Sequence, residues 1–211
     1  MSLDNEYIEF DEIENVIDNL TMVVHFLNSS FEFKWKWVCI VLHQSLYGLM
    51  IMALQGNDPR HTIYDKSNDS GKAIALHAEG VNDDVIASCF GVSKKKVSDW
   101  ITNPWLISFN EALKRVQRKK YLPFPNNVKP LTLSKEEEIS IEKLSKEFRN
   151  EFEHFSPKRW AINISGFPKM TRNLLRVILF IALESNCLTL SNVQEKELSE
   201  TIEKINDFIN K

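Results

Sequence analysis

The stretch LSKEEEISIEKLSKEFRNEFEHFSP, from Leu133 to Pro157, decides the class of the fold. Ser134 stands where a helix N-cap belongs, and Glu136, Glu137 and Glu138 fill the first turn, where the helix dipole favours negative charge. Ile139, Ile141, Leu144, Phe148 and Phe152 recur at helical spacing, so the reading is a helix with one apolar face made for burial. Ser156-Pro157 ends it, because the residue before a proline avoids the α region. Such a helix needs other helices to cover its apolar face. The rest of the chain offers them, and the predicted class is all-α.

Working backwards, Ile13, Val16, Ile17, Leu20, Val23, Val24 and Leu27 trace a first amphipathic helix that ends near Asn28-Ser29-Ser30. The second, FKWKWVCIVLHQSLYGLMIMALQG (Phe33 to Gly56), has no charged residue for eighteen positions from Trp37 to Leu54. That length reaches the range of a membrane span. His43, Gln44, Ser45 and Tyr47 near its middle would be costly in lipid, so it reads as the central helix of a bundle, with His43 and Tyr47 a core pair and no membrane partner. Gln55-Gly56-Asn57-Asp58-Pro59 stops it, and polar residues through Gly71 read as a loop.

Forward from the opening stretch, Trp160 to Gly166 alternates like a short strand or extended arm. Pro168 to Leu183 is an apolar helix with Leu174, Leu175, Ile178, Leu179 and Ala182 facing the core. Asn186 to Asn192 is a turn, and Leu198, Ile202, Ile205 and Ile209 mark a last amphipathic helix.

Between these blocks, KAIALHAEGVNDDVIASCFGVSKKKVSDWI (Lys72 to Ile101) reads as a helix-turn-helix over 83–101. Ile86 and Ala87 would pack the first helix, Gly91 would make the turn, Ser93 would cap the second helix, and Val92, Val97 and Trp100 would bury it. Lys94, Lys95, Lys96, Ser98 and Thr102 are left for a nucleic acid; three successive lysines give phosphate attraction more readily than base specificity. The alternative is a helical pair with a solvated lysine face, and Asp83, Asp84 and Asp99 oppose tight DNA contact. Trp105 to Val116 reads as a further helix. From Ala112 to Lys135 there are seven bases and no acid, with Tyr121 and Phe124 available for stacking: an RNA-binding strip or a solvated linker.

The charge is uneven. Residues 34–183 sum to +8 and the two ends to −11 together, although the whole chain of 211 residues is only −3. A basic centre suits a polyanionic partner, unless the acidic ends cover it. Cys39, Cys89 and Cys187 are odd in number and lack a C-x-x-C, so they read as buried, reduced thiols with neither disulfide nor zinc site. The acidic N-terminus is unlike a signal peptide, and the expected location is cytoplasmic.

Within the opening stretch, Asn150 and His154 are four apart and share a helix face, as do Arg149 and Glu153. Arg149 and His154 are about 140° apart around the axis, so a second copy across a two-fold would be needed to bring both to one atom. The spelling Arg149-Asn150-x-x-x-His154, with the aromatic-led helix from Phe33 and RNEFEHFSPKRWAINISG behind it, resembles the HEPN family of helical domains, in an uncharacterised bacterial branch. The likeness covers two blocks, roughly 13–55 and 133–183, a little under half of the chain. It implies a HEPN-like helical bundle over 1–56 and 130–211, with an inserted helical segment over 57–129.

It also implies a homodimeric, metal-independent endoribonuclease without cofactor, acting on RNA as a toxin or antiviral defence effector. By that resemblance His154 would be the acid/base, since its ordinary pKa of about 6.5 lets it exchange protons near neutrality. Arg149 would hold the phosphate and Asn150 would orient His154 or the phosphate. Lys158 and Arg159 are the next candidates for phosphate contacts. Without the resemblance, Arg149 and Glu153 are a surface pair and His154 a cation at a helix C-terminus. The competing function is a non-catalytic DNA-binding regulator that uses the helix-turn-helix.

Overall fold

The computed structural model describes residues 11–55, 63–123, 127–148, 151–152, 161 and 163–210. The fold is all-α. Among the described residues no strand forms, and Tyr64 and Leu106 make an isolated antiparallel bridge. Two compact units share the chain. One comprises Met1–Leu49, Leu133–Leu183 and Thr189–Lys211; the other comprises Met50–Thr132 and Glu184–Leu188. The second is thus wider than the 57–129 read from sequence, taking in the end of the second helix and a short return segment.

In the first unit, α1 (Glu12–Asn28) starts from a capping box: Asp11 accepts from the Glu14 amide while the Glu14 carboxylate accepts from the Asp11 amide. Its buried residues Ile13, Val16, Leu20, Val23 and Leu27 keep the helical period and lie along α9 (Asn192–Ile209), which buries Leu198, Ile202 and Ile205. α7 (Lys135–Glu142) begins with the Ser134–Glu137 capping box and packs on α8 (Phe167–Leu179). α2 (Lys34–Gln55) buries Val38, Cys39, Leu42, Leu46 and Leu49 within this unit's share of the chain, and His43 with them. By length and composition α2 could cross a membrane; 61% of its most apolar window is buried within the protein.

Three readings are corrected. Ile139 is 43% exposed, while Ser140, Ile141 and Leu144 are buried. Two positions on a helix differ by about 200°, so Ile139 and Ile141 cannot share a face. After Glu142 the helix widens into i→i+5 turns over Lys143–Phe148. Among the described residues no strand precedes α8: Ile164–Gly166 is a 3₁₀ turn, closed by the Asn163 side chain accepting from the Ser165 amide (3.0 Å) and hydroxyl (2.7 Å). Cys89 is exposed and Cys187 half-buried; only Cys39 is a buried thiol, its pKa pushed up by desolvation.

In the second unit, α3 (Asp69–Ala78), α4 (Asp83–Phe90) and α5 (Lys94–Thr102) surround one small core. Ala73, Ile86, Ala87 and Val97 are its centre, and Phe90 meets Trp100 edge-to-face at 6.1 Å. Cys89 falls outside because the inward face of α4 is centred on Ile86, Ala87 and Phe90, roughly 100° away. The loop does not extend through Gly71. Asn68 caps α3 by accepting from the Gly71 amide (2.8 Å), which puts Gly71 inside the helix. α6 is Phe109–Val116 and does not start at Trp105. The segment before it is held extended instead: the Asp65 amide donates to the Trp105 carbonyl (3.3 Å) and the Ile107 amide to that of Ile63 (2.8 Å).

Candidate nucleic-acid interface

The helix-turn-helix is built by local rules. Asn82 caps α4 through the Asp84 amide (2.8 Å). Gly91 ends α4 at φ 64°, a left-handed conformation that other residues adopt only with strain. Ser93 then accepts from the Lys96 amide (3.2 Å) and starts α5. Val97 is fully buried, and the half-buried Val92 and Trp100 flank it. What remains outside is the face carrying Lys94, Lys95, Lys96, Ser98 and Thr102, all exposed.

Its lysines are not equivalent. The Lys94 ammonium donates to Asp84 Oδ2 at 3.0 Å across the turn, and this hydrogen bond and charge raise its pKa. One lysine is therefore partly neutralised by the first helix. Lys95 forms no ion pair among the described residues, and Lys96 Nζ lies 6.0 Å from the Trp100 ring centroid. The positive surface is carried by Lys95 and Lys96. Asp99, one helical turn from Lys95 and three residues from Lys96, limits it.

The basic strip is tied down as well. Arg115 pairs with Glu111 at 2.8 Å, its side chain mostly buried, and both Arg115 and Lys120 lie over the Tyr121 ring at 5.4 and 4.8 Å. That ring is engaged within the protein, so it is not open on both sides for stacking. Phe124 lies outside the described residues.

Arg149, Asn150, His154, Lys158 and Arg159 also lie outside the described residues. The residues on either side of Arg149-Asn150, Phe148 and Glu151, are described. Phe148, the residue before Arg149, packs on Phe167 at a centroid distance of 4.7 Å, and Phe167 also meets Trp35 at 5.3 Å. Phe152 stacks on Phe148 at 6.1 Å. Beside this anchor is a cavity of about 300 Å³, lined by Ile139, Phe148, Phe167, Lys143 and Asn173. The Asn173 amide donates to Ser140 Oγ at 3.0 Å. At its edge Lys169 pairs with Glu136 at 2.8 Å, a hydrogen bond and charge that hold the Glu136 carboxyl below the usual range.

A second cavity escaped the sequence reading because its edge was taken for loop. It opens at the start of α3 and is lined by Ser70, Lys96, Trp100 and Trp105. The signal was present in Asn68-Asp69, a cap followed by an acid, which is how a helix begins. Among the described residues no group of three or more His, Cys, Asp or Glu could hold a metal ion. No protein-family model, no curated protein and no solved structure matches this chain.

Proposed function

We propose that the protein is a metal-independent endoribonuclease of HEPN type, working as a homodimer in toxin or antiviral defence. The observation that carries this reading is the sequence Arg149-Asn150-x-x-x-His154, emerging from a helix that widens at Lys143–Phe148 and is anchored by Phe148 on Phe167. Widened turns of this kind are rare and recur at functional sites. In the reaction the RNA 2′-hydroxyl attacks its own phosphate. His154 takes the proton, the partner copy's equivalent acid protonates the leaving 5′-oxygen, and Arg149 offsets charge on the phosphorane with its planar donors. Products are a 2′,3′-cyclic phosphate and a free 5′-hydroxyl.

The test is cleavage of labelled RNA in excess EDTA. The parent is expected to cut and leave cyclic phosphate ends, and His154→Ala to lose a factor on the order of 10²–10⁴. Equal cleavage by His154→Ala overturns the reading.

A second reading, a nucleic-acid-binding regulator without cleavage, is favoured by the left-handed Gly91 turn and the exposed face of α5. Its test is the salt dependence of duplex DNA binding. Replacing Lys95 and Lys96 by alanine should lower the log–log slope by about two, one per phosphate contact. Replacing Lys94 should lower it by less, since Asp84 already holds that ammonium. A slope unchanged by all three substitutions would rule out this face as the binding surface.

A further inference from the structure

We propose that the cavity between the start of α3 and the outer face of α5 binds a nucleotide unit, its phosphate at the α3 N-terminus and Lys96, its base against Trp100 and Trp105. This does not rest on the cleavage reading, since none of Arg149, Asn150 and His154 belongs to it.

The cavity, about 420 Å³, falls within the range of small-ligand pockets, about 300–1,000 Å³. Its strongest clue is Ser70. The residue is 8% exposed and lines the cavity, yet its hydroxyl finds no hydrogen-bond partner. Buried hydroxyls in folded proteins are nearly always satisfied, and a buried one without a partner in a residue of the cavity wall points to a group that completes it. Ser70 is the second residue of a ten-residue helix. The first amides of a helix have no partner within it; Asn68 takes that of Gly71, and those of Asp69 and Ser70 are directed at the helix start. Amides, hydroxyl and the Lys96 ammonium together make an anion cradle.

The rest of the wall specifies more than an anion. Trp105 is 71% exposed, the most exposed tryptophan or phenylalanine among the described residues, and Trp100 stands on α5 beside Lys96. Flat apolar faces next to a cationic site suit a planar ring attached to an anion. Asp99 and Asn103 also line the cavity. A carboxylate accepts N–H groups and an amide pairs with either donors or acceptors, so the ring should carry both along its edge. A nucleobase does; a simple aromatic acid does not. Asp69, which also lines the cavity, pairs with Lys72 at 3.3 Å.

The experiment is calorimetric titration of the intact protein with AMP, GMP, CMP and UMP, with ribose 5-phosphate and adenosine as half-ligands, and with a short single-stranded RNA. At least one mononucleotide or the strand should bind saturably, with each half-ligand at least roughly ten-fold weaker. Trp105→Ala should weaken binding by about ten-fold, the loss of one stacking face. Ser70→Ala should weaken it too, while leaving the melting temperature equal or higher, because it removes an unsatisfied buried hydroxyl. Tight mononucleotide binding identifies a free nucleotide as the occupant. Strand binding that is lost in Trp105→Ala, with weak mononucleotide binding, identifies an unpaired residue of a bound strand. No saturable binding at millimolar concentration, or binding indifferent to both substitutions, overturns the proposal.

Discussion

The two units are organised on opposite principles. α3, α4 and α5 occupy one uninterrupted run from Asp69 to Thr102, and each touches the other two. In the other unit α1 is covered by α9 from the far end of the chain, and α7 by α8 across the stretch that carries Arg149 and His154. Local contacts cost little loop-closure entropy and form early, whereas pairing chain ends requires most of the chain to be in place. The difference teaches where each reading of function is fragile. A three-helix unit held by its own residues survives changes elsewhere, while α7, covered from a remote segment, depends on that segment.

The largest effect expected from this comparison is in the cores. Leu174 is fully buried on α8, and Leu174→Ala should cost about 3–5 kcal/mol, since neighbours from several segments cannot all collapse into the cavity. Ile86 is equally buried, but in a small core ringed by half-buried residues that can relax. Ile86→Ala should fall nearer the low end, about 2–3 kcal/mol. Amide exchange resolves the two. Leu174→Ala should speed exchange in α1, α8 and α9 and spare α3–α5, and Ile86→Ala should do the reverse. Equal loss of protection everywhere in both variants would break the comparison.

The same division explains what could be read from residues alone. Ser134, Gly91, Ser93, Ile86 and Val97 were legible because caps, turns and a 3.6-residue period act within a few positions. Trp105 was read as helix because its extended form depends on pairing with residues around Tyr64, some forty positions away. Ile139 was misassigned by counting apolar letters without their angles, and Cys89 by residue type without its place on α4. The Lys94–Asp84 pair needed the turn geometry before it could be seen. The spelling of Arg149-Asn150-x-x-x-His154 was plain, but no periodicity announces a widened turn at Lys143–Phe148, so the faces presented beyond it could not be counted at a strict 100° per residue.

A smaller effect tests whether the three-helix unit is as self-sufficient as its contacts suggest. Gly71 sits against the backbone of Asp65 and Lys66, so closely that a methyl group would overlap the Asp65 carbonyl. Gly71→Ala must move backbone and should cost about 1–3 kcal/mol despite the higher helix propensity of alanine. If the unit stands on α3–α5 alone, exchange should quicken in residues 63–71 and near Ile107, with α4 and α5 unchanged. Loosening of the Gly91 turn would mean that the segment before α3 belongs to the three-helix unit and that the local picture is too narrow.

The smallest effect concerns that same segment. The Asp65 carboxylate accepts from the Ser67 hydroxyl (2.6 Å) and amide (2.9 Å), and these bonds, aided by Arg115, hold its pKa below the ordinary carboxylate value. Because the folded pKa is the lower one, the bonds stabilise the folded state fully above the unfolded carboxylate pKa. That contribution fades as pH falls through the folded value. Ser67→Ala removes the stronger donor. Its stability deficit should therefore be present at neutral pH and shrink towards zero in acid, while the Asp65 carboxyl, followed by carbon NMR, titrates at higher pH than in the parent. A deficit that persists unchanged in acid would mean that Ser67 acts through the turn itself, without the charge. The start of α3 would then be set by uncharged hydrogen bonds alone, as the caps of α4 and α5 are.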